Sequence, residues 1–113
     1  MNFIKPSRLK AGDTVAAVTL SSALAGIFPK VYETAKKNLE EIYGLNVITT
    51  PHALKDEEWI YNNPKARAED LHWALENPNV NGIISMIGGY ESVRVLPFVN
   101  HDLIRKHPTI FTG

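Results

Sequence analysis

Two glycines in succession, Gly88-Gly89, close the apolar run Ile83-Ile84-Ser85-Met86-Ile87. Without Cβ atoms, such a pair at a strand end lets backbone N–H groups approach an anion or a developing oxyanion closely. The plainer alternative, which the local sequence favours, is a strand-to-helix turn that needs positive φ. Gly88-Gly89-Tyr90-Glu91-Ser92 lacks the third glycine of a dinucleotide fingerprint, and the chain has no Walker phosphate loop. Ser21-Ser22 ends another apolar run. Either hydroxyl could bind a substrate carboxylate or phosphate, although capping or turn formation is the commoner use of serine there. Arg94 falls one turn beyond the glycine pair, where it could hold a carboxylate bidentately. Pairing with Glu91 at helical spacing is the slightly favoured alternative.

The remaining polar residues carry less. His52, His72, His101 and His107 show no paired metal-ligand spacing, so no metal site is expected. Arg67, Glu69 and Asp70 are expected on a polar helix face in solvent. Asp56-Glu57-Glu58 reads as a solvated loop or a helix start, where the dipole supports the charges. Thr109-Ile110-Phe111-Thr112-Gly113 is a short apolar strand running into a glycine. In many α/β hydrolases the nucleophile occupies the sharp turn right after such a strand. On that reading the nucleophile follows Gly113, and the chain holds part of a site without the residue that does the chemistry.

The elements that must position these residues alternate. Gly12-Asp13 is a turn signal, and Thr14 to Leu20 after it reads as a buried strand. From Pro29, Val31, Ala35, Leu39 and Ile42 recur at helical spacing, with Gly44 suited to the stop. Leu45 to Thr50 is a second strand, closed by Pro51. Asn63-Pro64 caps and starts a helix whose apolar face is Ala68, Leu71, Ala74 and Leu75, and Asn77-Pro78 ends it. Ile83 to Ile87 is the most apolar run and the expected central strand. Ser92 to Val99 and Asp102 to Lys106 are expected as short helical segments, broken near Pro97 and Pro108, before the last strand. Alternation of this kind predicts an α/β fold, a parallel sheet with helices on both faces, binding its ligand at the carboxyl ends of the strands.

Composition bounds the function. One domain is the natural count for 113 residues, and 44% apolar with 21% charged residues is ordinary for a globular protein. Zero formal charge gives no electrostatic footprint for nucleic acid or an acidic membrane. The absence of cysteine excludes disulfides and a thiolate nucleophile within these residues. The opening Met1-Asn2-Phe3-Ile4-Lys5-Pro6 lacks the apolar core of a signal peptide, and a cytoplasmic location is expected.

Taken in order, the motifs resemble the LD-carboxypeptidase family of serine peptidases, which includes the microcin C immunity proteins. Ile4-Lys5-Pro6-x-Arg8-Leu9-Lys10-x-Gly12-Asp13-Thr14-Val15 is similar to the family's opening, and Ser21-Ser22 to its first serine-rich turn. Arg67-Ala68-Glu69-Asp70-Leu71 resembles its second-helix motif, and Ile87-Gly88-Gly89-Tyr90-x-Ser92-x-Arg94-x-Leu96-Pro97 its glycine-rich segment. Ile110-Phe111-x-Gly113 is similar to the strand before the nucleophile, written Gly-Tyr-Ser-Asp in the family. Two departures bear on substrate class: Glu91 stands where many members have glycine or asparagine, and Thr19-Leu20 replaces a frequent Ala-Pro.

The resemblance implies a flavodoxin-like, class I glutamine amidotransferase-like N-terminal domain spanning residues 1–113, without the C-terminal domain. It implies a serine nucleophile just after Gly113, with a glutamate and a histidine from the C-terminal domain. Backbone amides at Gly88 and Gly89 would form the oxyanion hole. Ser21, Ser22, Tyr90 and Arg94 would contact substrate: a murein peptide with an LD-bond, or a microcin C-type acyl-sulfamoyl adenylate. No cofactor, metal, nucleic acid or membrane is implied. The full-length protein would be a homodimer, and this chain alone would be inactive. The alternative from a different class is one lobe of a small-molecule or sugar-binding sensor that does no chemistry.

Overall fold

A computed structural model describes residues 3–113. Four strands, β1 (Thr14–Val18), β2 (Asn46–Thr49), β3 (Gly82–Ser85) and β4 (Ile110–Thr112), form one sheet in the order β2-β1-β3-β4. Every neighbouring pair is parallel, with Val15 opposite Val47 and Gly82, and Ile83 opposite Phe111. Parallel neighbours need crossovers, and helices supply them: α1 (Leu24–Ile27) and α2 (Pro29–Tyr43) after β1, α3 (Glu57–Asn62) and α4 (Pro64–Glu76) after β2. A 3₁₀ segment, Tyr90–Phe98, and α5 (His101–Lys106) connect β3 to β4.

Alternation along β1 divides the core in two. Ala16 and Val18 pack with Ile83 and with Leu71, Ala74 and Leu75 of α4. Val15 and Ala17 point the other way, toward Val47, Ala25 and Tyr32. Burial on both faces explains the continuous apolar runs of β1 and β3. The central position expected for Ile83 to Ile87 is observed, since β3 lies between β1 and β4.

Boundaries shift where side chains leave the ladder. β1 ends at Val18 because Thr19 turns away, its hydroxyl donating to the Ala53 carbonyl at 2.8 Å. β3 ends at Ser85, although the Met86 amide still donates to Val18 at 3.0 Å. The break expected near Pro97 falls one residue beyond it: the 3₁₀ segment includes Pro97 and ends at Phe98. Asn63 precedes α4 as expected but does not cap it with its side chain, which donates instead to the Trp59 carbonyl at 2.7 Å. Asp56 does cap α3, accepting from the Trp59 amide at 2.8 Å.

The face of α2 is also corrected. Its extent, Pro29 to Tyr43 with Gly44 left-handed after it, matches the expectation. Val31, Ala35 and Ile42 are nevertheless exposed, and Leu39 is only half-buried. The buried residue is Tyr32, whose hydroxyl bonds to Thr49 Oγ1. Only one flank of the apolar stripe meets the sheet, and the rest has no cover among the described residues.

Candidate functional site

The carboxyl ends of β1, β3 and β4 run into Ser21-Ser22, Gly88-Gly89 and Gly113. Parallel strands all point their ends to one edge of the sheet, so three sequence-distant segments are gathered there by topology alone.

The two glycines of the pair have different reasons to be glycine. Gly89 adopts φ 143°, ψ 170°, a conformation that side-chain-bearing residues rarely enter. A Cβ on it would stand 2.5 Å from Ser21 Oγ. Gly89 therefore answers to the turn and to its contact with the neighbouring loop. Gly88 is not at positive φ, and a Cβ there would meet nothing within 4 Å. No described residue requires Gly88 to be glycine. Gly113 is required by close approach: a Cβ would lie 2.7 Å from Ser85 Cβ and 2.9 Å from the Ser85 carbonyl oxygen at the end of β3.

Ser21 is buried and its Oγ has no hydrogen-bond partner. Neither serine caps the next helix: the residue preceding α1 is Ala23, and no side chain caps it. Of the two roles expected for the pair, capping is not found, because the chain runs two residues past Ser21 before turning helical; the chain does bend at Leu20-Ser21. Ser22 is half-buried, and Tyr90 is 97% exposed beside Gly89. Arg94 donates to Glu91 Oε2 at 2.9 Å and to the Tyr61 carbonyl at 2.7 Å, with its guanidinium 4.4 Å from the Tyr61 ring centre. The pairing with Glu91 expected from helical spacing is present.

Arg67 and Asp70 overturn an expectation. They belong to the buried face of α4, at 1% and 2% exposure, while Glu69 between them is exposed. Arg67 Nη1 donates to the carbonyls of Leu20 (2.9 Å), Ser21 (3.3 Å) and Glu91 (3.3 Å). Burial pushes the guanidinium below its ordinary value, Arg94 adds to the shift, and Glu91 opposes it. Arginine stays charged through such a shift. Asp70 accepts the His52 amide at 2.9 Å and faces His52 Nδ1 at 2.7 Å. An ionised carboxylate can only accept, so Nδ1 carries the proton and Nε2 is left free. The imidazole stacks on Trp59 with ring centres 5.0 Å apart.

Spacing alone held the signal for these residues. Arg67 stands four and seven residues before Leu71 and Ala74, and Asp70 four before Ala74, which places both on the apolar face of a helix.

Among the described residues no group of three or more His, Asp or Glu side chains is placed to hold a metal ion. No helix among them is long and apolar enough to cross a membrane.

Comparison with known proteins gives a consistent set of relatives. Residues 15–113 match the family described as the LD-carboxypeptidase N-terminal domain. A probable murein peptide carboxypeptidase of Bacillus subtilis is 34% identical over 110 residues, covering 96% of this chain and 33% of that protein. The crystal structure of an MccF-like protein from Bacillus anthracis superposes with a TM-score of 0.87 at 32% identity, over 96% of this chain and 33% of the other. An MccF-like protein from Streptococcus pneumoniae, solved in complex with AMP, has a TM-score of 0.74 at 34% identity, over 84% of this chain and 28% of its own. MccF is a microcin C7 self-immunity protein. The chain spans about a third of the length of the curated relatives it matches.

Proposed function

The chain belongs to the LD-carboxypeptidase family through its N-terminal domain, and from that premise we propose that it forms the N-terminal third of a serine carboxypeptidase-like hydrolase. The substrates are peptides with an unusual C-terminal linkage: LD-bonds of murein peptides, or acyl-sulfamoyl adenylates of the microcin C type. The names of the relatives support both classes, and AMP bound to the pneumococcal protein supports a nucleotide-bearing substrate. No observation favours a non-catalytic ligand-binding lobe. A cytoplasmic location and a homodimeric full-length protein rest on the family resemblance.

In this reading the serine follows Gly113, and a histidine and a glutamate come from the C-terminal domain. Serine Oγ adds to the substrate carbonyl while imidazole takes its proton. Collapse of the tetrahedral intermediate expels the leaving group, which receives that proton, and water then hydrolyses the acyl-enzyme. The glutamate keeps the imidazole in the right orientation. Gly88 and Gly89 amides hold the oxyanion, while Ser21, Ser22, Tyr90 and Arg94 border the substrate. The chain itself has no hydroxyl–imidazole hydrogen bond among its described residues: His52 is held by Asp70, and His72 Nε2 accepts the Asn100 amide at 2.9 Å.

The observation that carries the proposal is Gly88, a glycine at the sheet's carboxyl edge with open space where a side chain would stand. Space held open there suits an incoming carbonyl oxygen. The test is to incubate the full-length protein with a murein tetrapeptide and with an aminoacyl-sulfamoyl adenosine, and to follow products by mass spectrometry. Cleavage of either, lost when the serine after Gly113 is changed to alanine, is expected. A different residue at that position, or cleavage that survives the substitution, would overturn the reading.

A further inference from the structure

Arg67 is a buried cation that no carboxylate accepts from among the described residues. Its Nε and Nη2 have no hydrogen-bond partner, and Nη1 is spent on main-chain carbonyls alone. An arginine buried without an anion is expensive, and apolar residues of similar volume often serve a core as well or better. Packing α4 onto the sheet therefore does not account for it.

The three carbonyls it bonds do. Two belong to the turn after β1, Leu20 and Ser21; the third belongs to Glu91, two residues past Gly89. These turns are far apart in sequence, but they follow neighbouring strands, β1 and β3, and they touch where Gly89 abuts Ser21 Oγ. Glu91 is gripped twice, since Arg67 takes its carbonyl and Arg94 its carboxylate at 2.9 Å. On the far side of the pair, Ser92 Oγ donates to the Gly89 carbonyl at 3.1 Å. Gly88 alone is left with free space.

We propose that Arg67 is a positioning residue: it latches the Ser21 turn to the Gly88–Glu91 loop and so fixes the direction of the Gly88 and Gly89 amides. It touches neither substrate nor reacting atoms. All three bonds come from Nη1, whose N–H groups are fixed in the guanidinium plane and so hold the two segments in set directions, which a lysine ammonium, a point charge on a flexible stem, does less well. The consequence for chemistry rests on the hydrolase reading above, but the latch itself does not.

The test uses the full-length protein with Arg67→Met and Arg67→Lys, the latter serving also where the methionine variant fails to fold. Amide hydrogen exchange is read first. Peptides covering 21–24 and 88–92 are expected to exchange at least about tenfold faster in the variants, with β1 and β3 unchanged, because loops open locally without global unfolding. Unchanged exchange in those loops, or an equal increase throughout the sheet, would overturn the latch. Turnover is read second. With a cleavable substrate, Arg67→Met is expected to lower kcat about 100-fold, the scale of a small misplacement, with KM little changed and Arg67→Lys partly restoring kcat. Wild-type kcat in folded Arg67→Met would remove the positioning role. Loop-confined exchange changes in a protein that cleaves neither substrate would leave the latch standing and sink the hydrolase reading instead.

Discussion

Gly88 and Gly89 are adjacent, both exposed and chemically identical, yet they answer to different demands. Gly89 is held at φ 143° against Ser21 Oγ, so any side chain there is strained and crowded. Replacing it with alanine should cost about 1–3 kcal/mol, the usual scale for a residue forced into a disfavoured backbone region. Gly88 has neither constraint, so Gly88→Ala should melt like the parent. If the substrate's carbonyl oxygen occupies the space above Gly88, the added methyl should displace it, and turnover in the full-length Gly88→Ala protein should fall by about two to three orders of magnitude, the scale of one lost oxyanion contact, although the amide itself is kept. KM should move less, because the contact strengthens as the tetrahedral intermediate forms. Steady-state kinetics and melting on the two variants give a crossed pattern: Gly89→Ala loses stability, Gly88→Ala loses rate. Full turnover in Gly88→Ala would show that the space above Gly88 is not used by the substrate.

At the scale of elements, α4 organises the carboxyl edge from below. Its first two turns bury Arg67 toward the β1 and β3 turns, and Asp70 toward the loop that follows β2. Asp70 takes both the amide and the ring of His52, so Asp70→Ala strands two donors at once. Stability should fall by about 2 kcal/mol, within the range for hydrogen bonds to a charged group. His52→Ala keeps the amide bond and should cost less. Urea unfolding of both variants checks the order, and equal losses would show that the backbone bond contributes little. How much of this could be read in the sequence depends on what each residue needed. The strands and α4 were legible because β1, β3 and the Leu71, Ala74, Leu75 face have periods that burial enforces. Arg67 and Asp70 carry charges that point to a surface, whereas their spacing puts them on the buried face. The α2 face departs from the expectation for the opposite reason: its apolar period is real, but Val31, Ala35 and Ile42 stay exposed in the described chain. The turn of Gly88-Gly89 was visible as glycine, whereas the difference between the two needed coordinates.

The whole molecule is compact and yet leaves much apolar surface uncovered. Its Cα radius of gyration is 13.8 Å, near the roughly 13 Å of a folded chain of about 100 residues. The exposed apolar residues are therefore not the product of an expanded chain. On the α4 side a groove of about 910 Å³ is lined by Phe3, Ile4, Leu75, Leu96, Ile104 and Phe111, of which Phe3, Ile4, Leu96, Ile104 and Phe111 are exposed. On the opposite side a second, smaller groove between α2 and β3 is bordered by Phe28, Val31, Ala35, Ile84 and Met86. β4 adds an edge strand that, among the described residues, pairs only with β3. A large apolar patch together with an open strand edge is the surface from which chains associate. Produced as these 113 residues alone, the protein should bind an apolar dye such as ANS while keeping a cooperative unfolding transition, and its apparent mass in gel filtration should rise with concentration. Changing Phe111 to lysine charges the groove and the edge together, and should lower both dye binding and association without abolishing the fold, because Phe111 is already half in solvent. The full-length protein, if its remaining two thirds pack on these surfaces, should bind little dye per molecule. A strictly monomeric 113-residue chain that binds no dye would mean that the grooves close in solution, and that nothing further needs to cover them.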